Sequence, residues 1–265
     1  MSATARRAGL AIYRHHAAEP GGATRVVFVH GSLDRGAAFL RTARLLREHD
    51  VVRYDRRGYG RSAEAGTSVG IDAMVADLVV VLDGQPSVVV GHSLGGVIAL
   101  AAAQHHPHLV TAVATFEAPS PWLDWWPGRS AGGRALEFAD RGPEEVAERF
   151  LRGLVGSERW EALPEATKAA RRREGPALVA DLTAIRGDEP YSTGQLVSLG
   201  LPVVTGYGSL SKPHHVRSAS DLHDAVPGSE LVVIDGASHD AHASHPDEFA
   251  RFVGVAIRRA RSLSP

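Results

Sequence analysis

The six residues Gly91-His92-Ser93-Leu94-Gly95-Gly96 follow the apolar run Ser87–Gly91 (SVVVG) and open a helical pattern over Leu94–Gln104. A strand that passes into a helix through so short a turn forces its central residue, here Ser93, into a strained backbone conformation. The residues two before and two after it crowd one another, and glycine at 91 and 95 relieves that clash. The Ser93 hydroxyl is left standing at the carboxyl end of a buried strand. The Leu94 N–H, at the start of the helix, faces the same space and can bind a developing oxyanion. A chance glycine-rich turn is the alternative, and the strand-turn-helix setting argues against it.

The surrounding pattern supplies that strand with neighbours. Arg25–His30 (RVVFVH), Val51–Tyr54, Ser87–Gly91 and Thr111–Phe116 are short apolar runs, the signature of strands buried on both faces. Helical spacing separates them over Ala37–Glu48, Ile71–Asp83 and Leu94–Gln104. This βαβαβαβ order predicts an α/β fold with a mostly parallel central sheet flanked by helices. From about 119 to 197 no strand pattern appears, and helical patterns such as Glu144–Leu154 and Ala166–Arg173 dominate. Alternation resumes with Leu201–Gly206, a helix around Ser218–Ala225, the strand Leu231–Asp235 and a terminal helix from Asp247 to about Arg261. The organisation expected is one core domain from residues 1–118 and 198–265, interrupted by a helical cap at 119–197.

Composition narrows the chemistry. The 265 residues fit one domain with an insertion. With 29 basic and 30 acidic residues and a net charge of −1, the chain has no electrostatic footprint for nucleic acid or an anionic membrane. Cysteine is absent, which removes disulfides, thiol nucleophiles and thiolate metal sites together. Nothing in Met1–His16 reads as a signal segment, and no run approaches the ~18 apolar residues of a membrane helix. A soluble, cytoplasmic protein is the expectation, with a small molecule as its partner and its oligomeric state left open.

His30-Gly31-Ser32 closes the strand Arg25–His30, and Gly31 permits the tight exit that would aim the Ser32 amide at Ser93 as a second oxyanion donor. Together HGS at 30–32, DRRGYGRS at 55–62, GHSLGG at 91–96 and GASH at 236–239 resemble the α/β-hydrolase superfamily, in its cap-bearing, esterase-like form. These motifs span the whole core in the family's order. The resemblance implies an α/β-hydrolase fold, serine hydrolysis without a cofactor or metal, and a bracing, structural role for Asp55 and Arg56. A serine nucleophile needs a base that titrates near neutrality, hence a histidine. Of the 14 histidines, His239 stands where the family keeps its base, after the last buried strand. His15, His16, His105, His106, His108, His214 and His215 read as solvated surface. His242 and His245 beside His239 read as helix surface rather than as metal ligands.

The family most often places an Asp three residues past the glycine of the next-to-last strand, but here Gly206-Tyr207-Gly208-Ser209-Leu210-Ser211-Lys212 has no carboxylate. Some members carry the acid instead at the end of the strand that follows the nucleophile's helix. That strand ends at Glu117 in this sequence, where its carboxylate could orient His239. A Ser93–His239 dyad, with no acid or with Asp124 standing in, is the alternative. Asp221 lies on the following helix, facing the wrong end of the sheet.

All four tryptophans, Trp122, Trp125, Trp126 and Trp160, fall in the expected cap. The first three suit an apolar wall above Ser93, or else the glue between cap and core. Three consecutive arginines, Arg171 to Arg173, point in different directions on a helix and read as a solvated face. The function expected is cleavage of an ester, thioester or lactone of a small to medium apolar substrate by a Ser93–His239–Glu117 triad, with Leu94 and Ser32 as oxyanion donors. A cofactor-free haloperoxidase, a C–C hydrolase, or a ligand-binding protein that keeps the fold without catalysis are the alternatives. Epoxide hydrolases and haloalkane dehalogenases carry Asp where Ser93 stands, which disfavours both.

Overall fold

A computed structural model describes residues 3–18 and 23–262. Eight strands form one sheet: β1 (Ala3–Arg7), β2 (Leu10–His15), β3 (Arg25–Val29), β4 (Asp50–Tyr54), β5 (Ser87–His92), β6 (Val110–Phe116), β7 (Val203–Gly208) and β8 (Glu230–Ile234). Their order is β1-β2-β4-β3-β5-β6-β7-β8. From β4 to β8 every pairing is parallel, and β1 and β2 add an antiparallel edge. The core helices are α1 (Leu40–Leu45), α2 (Ile71–Leu82), α3 (Leu94–His105), α10 (Pro213–Ala225), a single turn α11 (Ala241–Ser244) and α12 (Pro246–Ser262). Between β6 and β7 the chain leaves the sheet for six helices: α4 (Ala131–Leu136), α5 (Pro143–Val155), α6 (Ser157–Glu161), α7 (Glu165–Arg173), α8 (Gly175–Ala184) and α9 (Thr193–Leu199).

The central strands are continuous apolar runs because both of their faces are covered. Val88, Val89 and Val90 are fully buried, each contributing roughly 1.5–3 kcal/mol of transfer free energy. Val89 belongs to the apolar cluster shared with α2 and α3, and its neighbours Val88 and Val90 to the one shared with α12. Successive residues of one strand thus anchor opposite layers. Helix α3 is buried over ten consecutive residues, Leu94 to Ala103, which is why it lacks a polar face.

Register gathers the site. Val29 pairs with Gly91, His92 with Phe116, and Phe116 with Gly206. The carboxyl ends of β3, β5, β6 and β7 therefore lie side by side, and the residues just beyond them converge on one edge.

Three elements depart from the sequence reading. The β1–β2 hairpin has no counterpart there, because the side chains of Ala5, Arg6 and Arg7 are exposed and show no apolar pattern; β1 is held by its backbone ladder to β2 and by the contacts of Arg6 with the Arg61 carbonyl and of Arg7 with Asp83. The single helix expected over 37–48 is a 3-10 turn, Gly36–Phe39, running into the six-residue α1. Helix α10 starts at Pro213 rather than near Ser218, proline being well suited to the first helical position. Among the described residues no helix is long and apolar enough to cross a membrane.

Candidate active site

Ser93 sits between β5 and α3 with φ 53° and ψ −127°, a left-handed backbone that a non-glycine residue holds only under tertiary constraint. Here the constraint is its own amide, which donates to the Phe116 carbonyl at 2.9 Å, together with the absence of side chains two residues before and two residues after it, at Gly91 and Gly95. A Cβ at Gly91 would lie 2.2 Å from the Gly95 carbonyl oxygen, and one at Gly95 would lie 2.0 Å from that of Val29. Leu94 opens α3, so its N–H is one of the four that a helix start leaves without an intrahelical partner.

Glu117, one residue past β6, also has a left-handed φ of 52°, and its amide donates to the Gly206 carbonyl at 2.9 Å. Its side chain is completely buried. Oε1 accepts from the Gly208 amide at 3.0 Å and from the Ser211 hydroxyl, while Oε2 accepts from His239 Nδ1 at 2.7 Å. Burial acts to raise the Glu117 carboxyl, but the hydrogen bond and charge of His239, with the bonds from Ser211 and Gly208, outweigh it. The carboxyl is held below its usual range and stays ionised. His239 is fixed a second time through its backbone, whose carbonyl accepts from His92 Nε2 at 2.7 Å. Ser32, Ser93, Leu94 and His239 all line one cavity of about 280 Å³. Ser93 Oγ makes no hydrogen bond among the described residues. Asp124, the alternative acid, is exposed, and Asp221 is an exposed partner of Arg217 at 3.4 Å.

A model of the alpha/beta hydrolase family matches residues 26–252, most of the chain. The chain belongs to that family. It is 29% identical over 237 residues to a pimeloyl-(acyl-carrier protein) methyl ester esterase of Aliivibrio fischeri, spanning 84% of this chain and 90% of that one. The enol-lactonase from Burkholderia xenovorans LB400 superposes with a TM-score of 0.73 at 19% identity, over 97% of this chain and all of that one. A bromoperoxidase from Bacillus anthracis does so with a TM-score of 0.73 at 20% identity, over 97% of this chain and 100% of its own. At these identities the two superpositions speak for the α/β-hydrolase fold.

The tryptophans of this α/β-hydrolase have separate fates. Trp126 lines the 280 Å³ cavity together with Phe150, Leu182 and Ile185. Trp122 packs edge-on against Tyr191 at 5.7 Å, and Trp125 lies under the Arg217 guanidinium at 4.2 Å; neither lines the cavity. Trp160 is fully buried beneath the guanidinium groups of Arg152 and Arg172.

Three histidines read as surface are part of the site or its support. His214 and His215 line the cavity, and the His215 ring stacks on that of His239 with centroids 4.5 Å apart. Burial first, then the neighbouring His239, His214 and Lys212, push the His215 pKa well below its ordinary value. His242 is buried, donates to Asp34 at 3.0 Å and lies over His92 at 4.0 Å. Helical spacing shows which residues share a face but not what covers it, so local sequence carried no signal for these three. Two groups, Asp34/His92/His242 and Glu117/His215/His239, bring ligating atoms within 4.8 Å of one another. In the first, Nε2 of each histidine is already taken, by the His239 carbonyl and by Asp34; in the second, His239 Nδ1 is committed to Glu117.

Proposed function

We propose that the protein is a serine hydrolase acting on an ester, thioester or lactone of a small to medium, largely apolar substrate, and that its helical insertion at 119–197 is the cap over the site. The 2.7 Å hydrogen bond between His239 Nδ1 and Glu117 Oε2, made at the sheet edge where Ser93 stands, carries this assignment. Glu117 fixes the imidazole tautomer with its proton on Nδ1, leaving Nε2 unprotonated and able to take the Ser93 proton. Ser93 then attacks the substrate carbonyl. Charge passes to the carbonyl oxygen, where the amides of Leu94 and Ser32 stabilise it. His239 returns its proton to the leaving oxygen or sulfur, and the same residue next activates water to release the acid from Ser93. The Ser93–His239 hydrogen bond that this step needs forms when substrate is bound, as is usual for such pairs.

The cavity walls speak to the substrate. Trp126, Phe150, Leu182 and Ile185 offer an apolar surface to an acyl group. A second cavity of about 390 Å³ adjoins it, sharing Ser32, Ser93 and His239 and adding Asp34 and Arg159. Ser93 thus opens on two adjoining compartments of mixed lining, which gives room for both the acyl side and the leaving group of an ester.

Labelling with a fluorophosphonate tests the assignment. Rapid labelling of the wild type, lost in Ser93→Ala, together with turnover of p-nitrophenyl esters, is the expected result. A wild type that neither labels nor hydrolyses any ester of the series overturns the reading in favour of a non-catalytic ligand-binding protein.

A further inference from the structure

We propose that the cap builds part of the machinery it covers: Asp181 and Arg171, both from the cap, are positioning residues that hold the loop of Gly31, Ser32 and Leu33 in the shape from which the Ser32 amide reaches the oxyanion. The proposal rests on the assignment of Ser93 as nucleophile and Ser32 as oxyanion donor.

Asp181 lies on α8 with its side chain almost wholly buried. Its Oδ2 accepts from Arg56 Nη2 at 2.5 Å, Tyr59 OH at 2.6 Å and Ser32 Oγ at 2.9 Å, and its Oδ1 from Arg56 Nη1 at 3.1 Å. A buried carboxylate is tolerated only when its lone pairs are taken up in this way, and four such bonds on one carboxylate hold its donors in a fixed arrangement. Arg56 also belongs to the loop's surroundings: its amide donates to His30 Nε2 at 2.8 Å, and its Nη2 reaches the Gly31 carbonyl at 3.4 Å. One carboxylate from the cap therefore ties together the 30–32 and 56–59 loops of the core.

The next residue of the loop is held by a separate grip. Leu33 has φ 53°, a left-handed conformation that persists in a leucine only where the surroundings over-determine it. Its carbonyl accepts from Arg171 Nη1 at 3.1 Å. Arg171 is steadied by Glu174 at 3.4 Å, and Glu174 in turn accepts from Arg35 at 2.5 Å and the Gly60 amide at 2.8 Å. Arg171 is thus a half-buried bridge rather than the solvated residue that its place in an arginine run suggested.

The loop has no slack. Gly31 approaches Ser93 so closely that a Cβ would lie 2.9 Å from Ser93 Cβ. Ser32 follows immediately, so a small displacement of the loop moves its amide off the position where negative charge develops, and misplacement by about 1 Å is enough to slow such chemistry 100-fold. The α7–α8 part of the cap therefore stays seated during turnover.

Ser32→Ala tests the link most directly, because it keeps the backbone amide and the Arg56–Asp181 pair and removes only the hydroxyl tie. Asp181→Asn and Arg171→Met complete the set. The measurements are kcat and KM for p-nitrophenyl butyrate, inhibition by an arylboronic acid that forms a tetrahedral adduct on Ser93, and the melting temperature. The expected result is a fall in kcat of roughly 10- to 100-fold in each variant, KM changed less than about threefold, and boronate affinity weakened in step with kcat. Ser32→Ala and Asp181→Asn combined should be no worse than the poorer single variant. Folded Ser32→Ala and Arg171→Met proteins with wild-type kcat and boronate affinity overturn the proposal, even with a lowered melting temperature. So does a loss confined to Ser32→Ala with Asp181→Asn unaffected, which would make the hydroxyl a direct ligand of the substrate. Where Asp181→Asn does not fold, the other two variants decide, since both leave the buried ion pair in place. A wild type that neither labels nor turns over fails the parent assignment, a result distinct from active enzyme with indifferent variants.

Discussion

Glu117 Oε2 and His239 Nδ1 lie 2.7 Å apart, although 122 residues separate them in the chain. One stands just past β6 and the other in the loop after β8, so their meeting depends on β7 pairing in register with both of those strands. Glu117→Gln keeps the size of the side chain and an oxygen to accept from Gly208 and Ser211, but removes the negative charge facing the imidazole. Turnover of p-nitrophenyl butyrate should fall by about 10³- to 10⁴-fold, as when an equivalent triad acid is neutralised, while the circular-dichroism melt stays close to wild type. Near-normal kcat would leave a Ser93–His239 dyad.

The fold was legible wherever burial is written locally. Val88-Val89-Val90 is a strand whose both faces are covered, and nothing beyond its own run is needed to see that. Gly91 and Gly95 around Ser93 report their own crowding. Glu117 was reachable because it ends such a run. Asp181 and Glu174 were not, since their partners Arg56 and Arg35 lie 125 and 139 residues away and no periodicity encodes a contact between the cap and the core loops. His215 and His242 failed for the same reason. Each sits near the start of a helix whose covering partner, His239 or Asp34, arrives from elsewhere in the chain. Strand β1 was invisible because its exposed side chains form no apolar run, and its ladder to β2 and the contacts of Arg6 and Arg7 with Arg61 and Asp83 come from elsewhere in the chain.

Gly95 is the position where the turn tolerates least. The Val29 carbonyl that a Cβ would strike at 2.0 Å belongs to β3, which is paired on both sides with β4 and β5 and cannot retreat. Gly95→Ala should cost well above about 3 kcal/mol, beyond ordinary overpacking, and yield little folded protein. Gly128→Ala is the matched control: nothing lies within 4 Å of its added methyl, so its urea midpoint should stay within about 0.5 kcal/mol of wild type. Equal stabilities for the two variants would contradict this account of the turn.

The tryptophans should separate stability from specificity. Trp160 is fully buried and does not line the cavity, so Trp160→Ala is expected to destabilise by about 3–5 kcal/mol without altering the preference for acyl length. Trp126 lines the cavity, so Trp126→Ala should shift that preference, read as KM across p-nitrophenyl esters from acetate to octanoate, at little expense in melting temperature. An unchanged chain-length profile in Trp126→Ala removes this residue from the substrate wall.

The stability of the protein should decline as the solution is acidified from neutrality, and His30 supplies a definite part of that slope. Its ring is fully buried, shares a 2.7 Å hydrogen bond with the Gly31 carbonyl through Nδ1, and accepts the Arg56 amide on Nε2 at 2.8 Å. Both bonds are satisfied by the neutral ring protonated on Nδ1. A second proton on Nε2 would face the Arg56 N–H. Burial above all, then the Arg56 guanidinium, push the His30 pKa down to about 4. In the unfolded chain the same residue titrates near 6.5. Between these values the unfolded state binds more protons, so unfolding becomes easier as pH falls. The contribution of His30 is complete above about pH 6.5 and is lost as the pH drops to about 4, a span worth roughly 3 kcal/mol. His92 and His215, driven well below their ordinary values chiefly by burial, act in the same direction. Urea denaturation at pH 7, 6 and 5 should give steadily lower midpoints. His30→Asn, which keeps a donor toward Gly31 but no longer titrates, should be less stable at pH 7 yet show a slope shallower by up to about 1.4 kcal/mol per pH unit. An undiminished slope in that variant would show that His30 is not among the groups that set it.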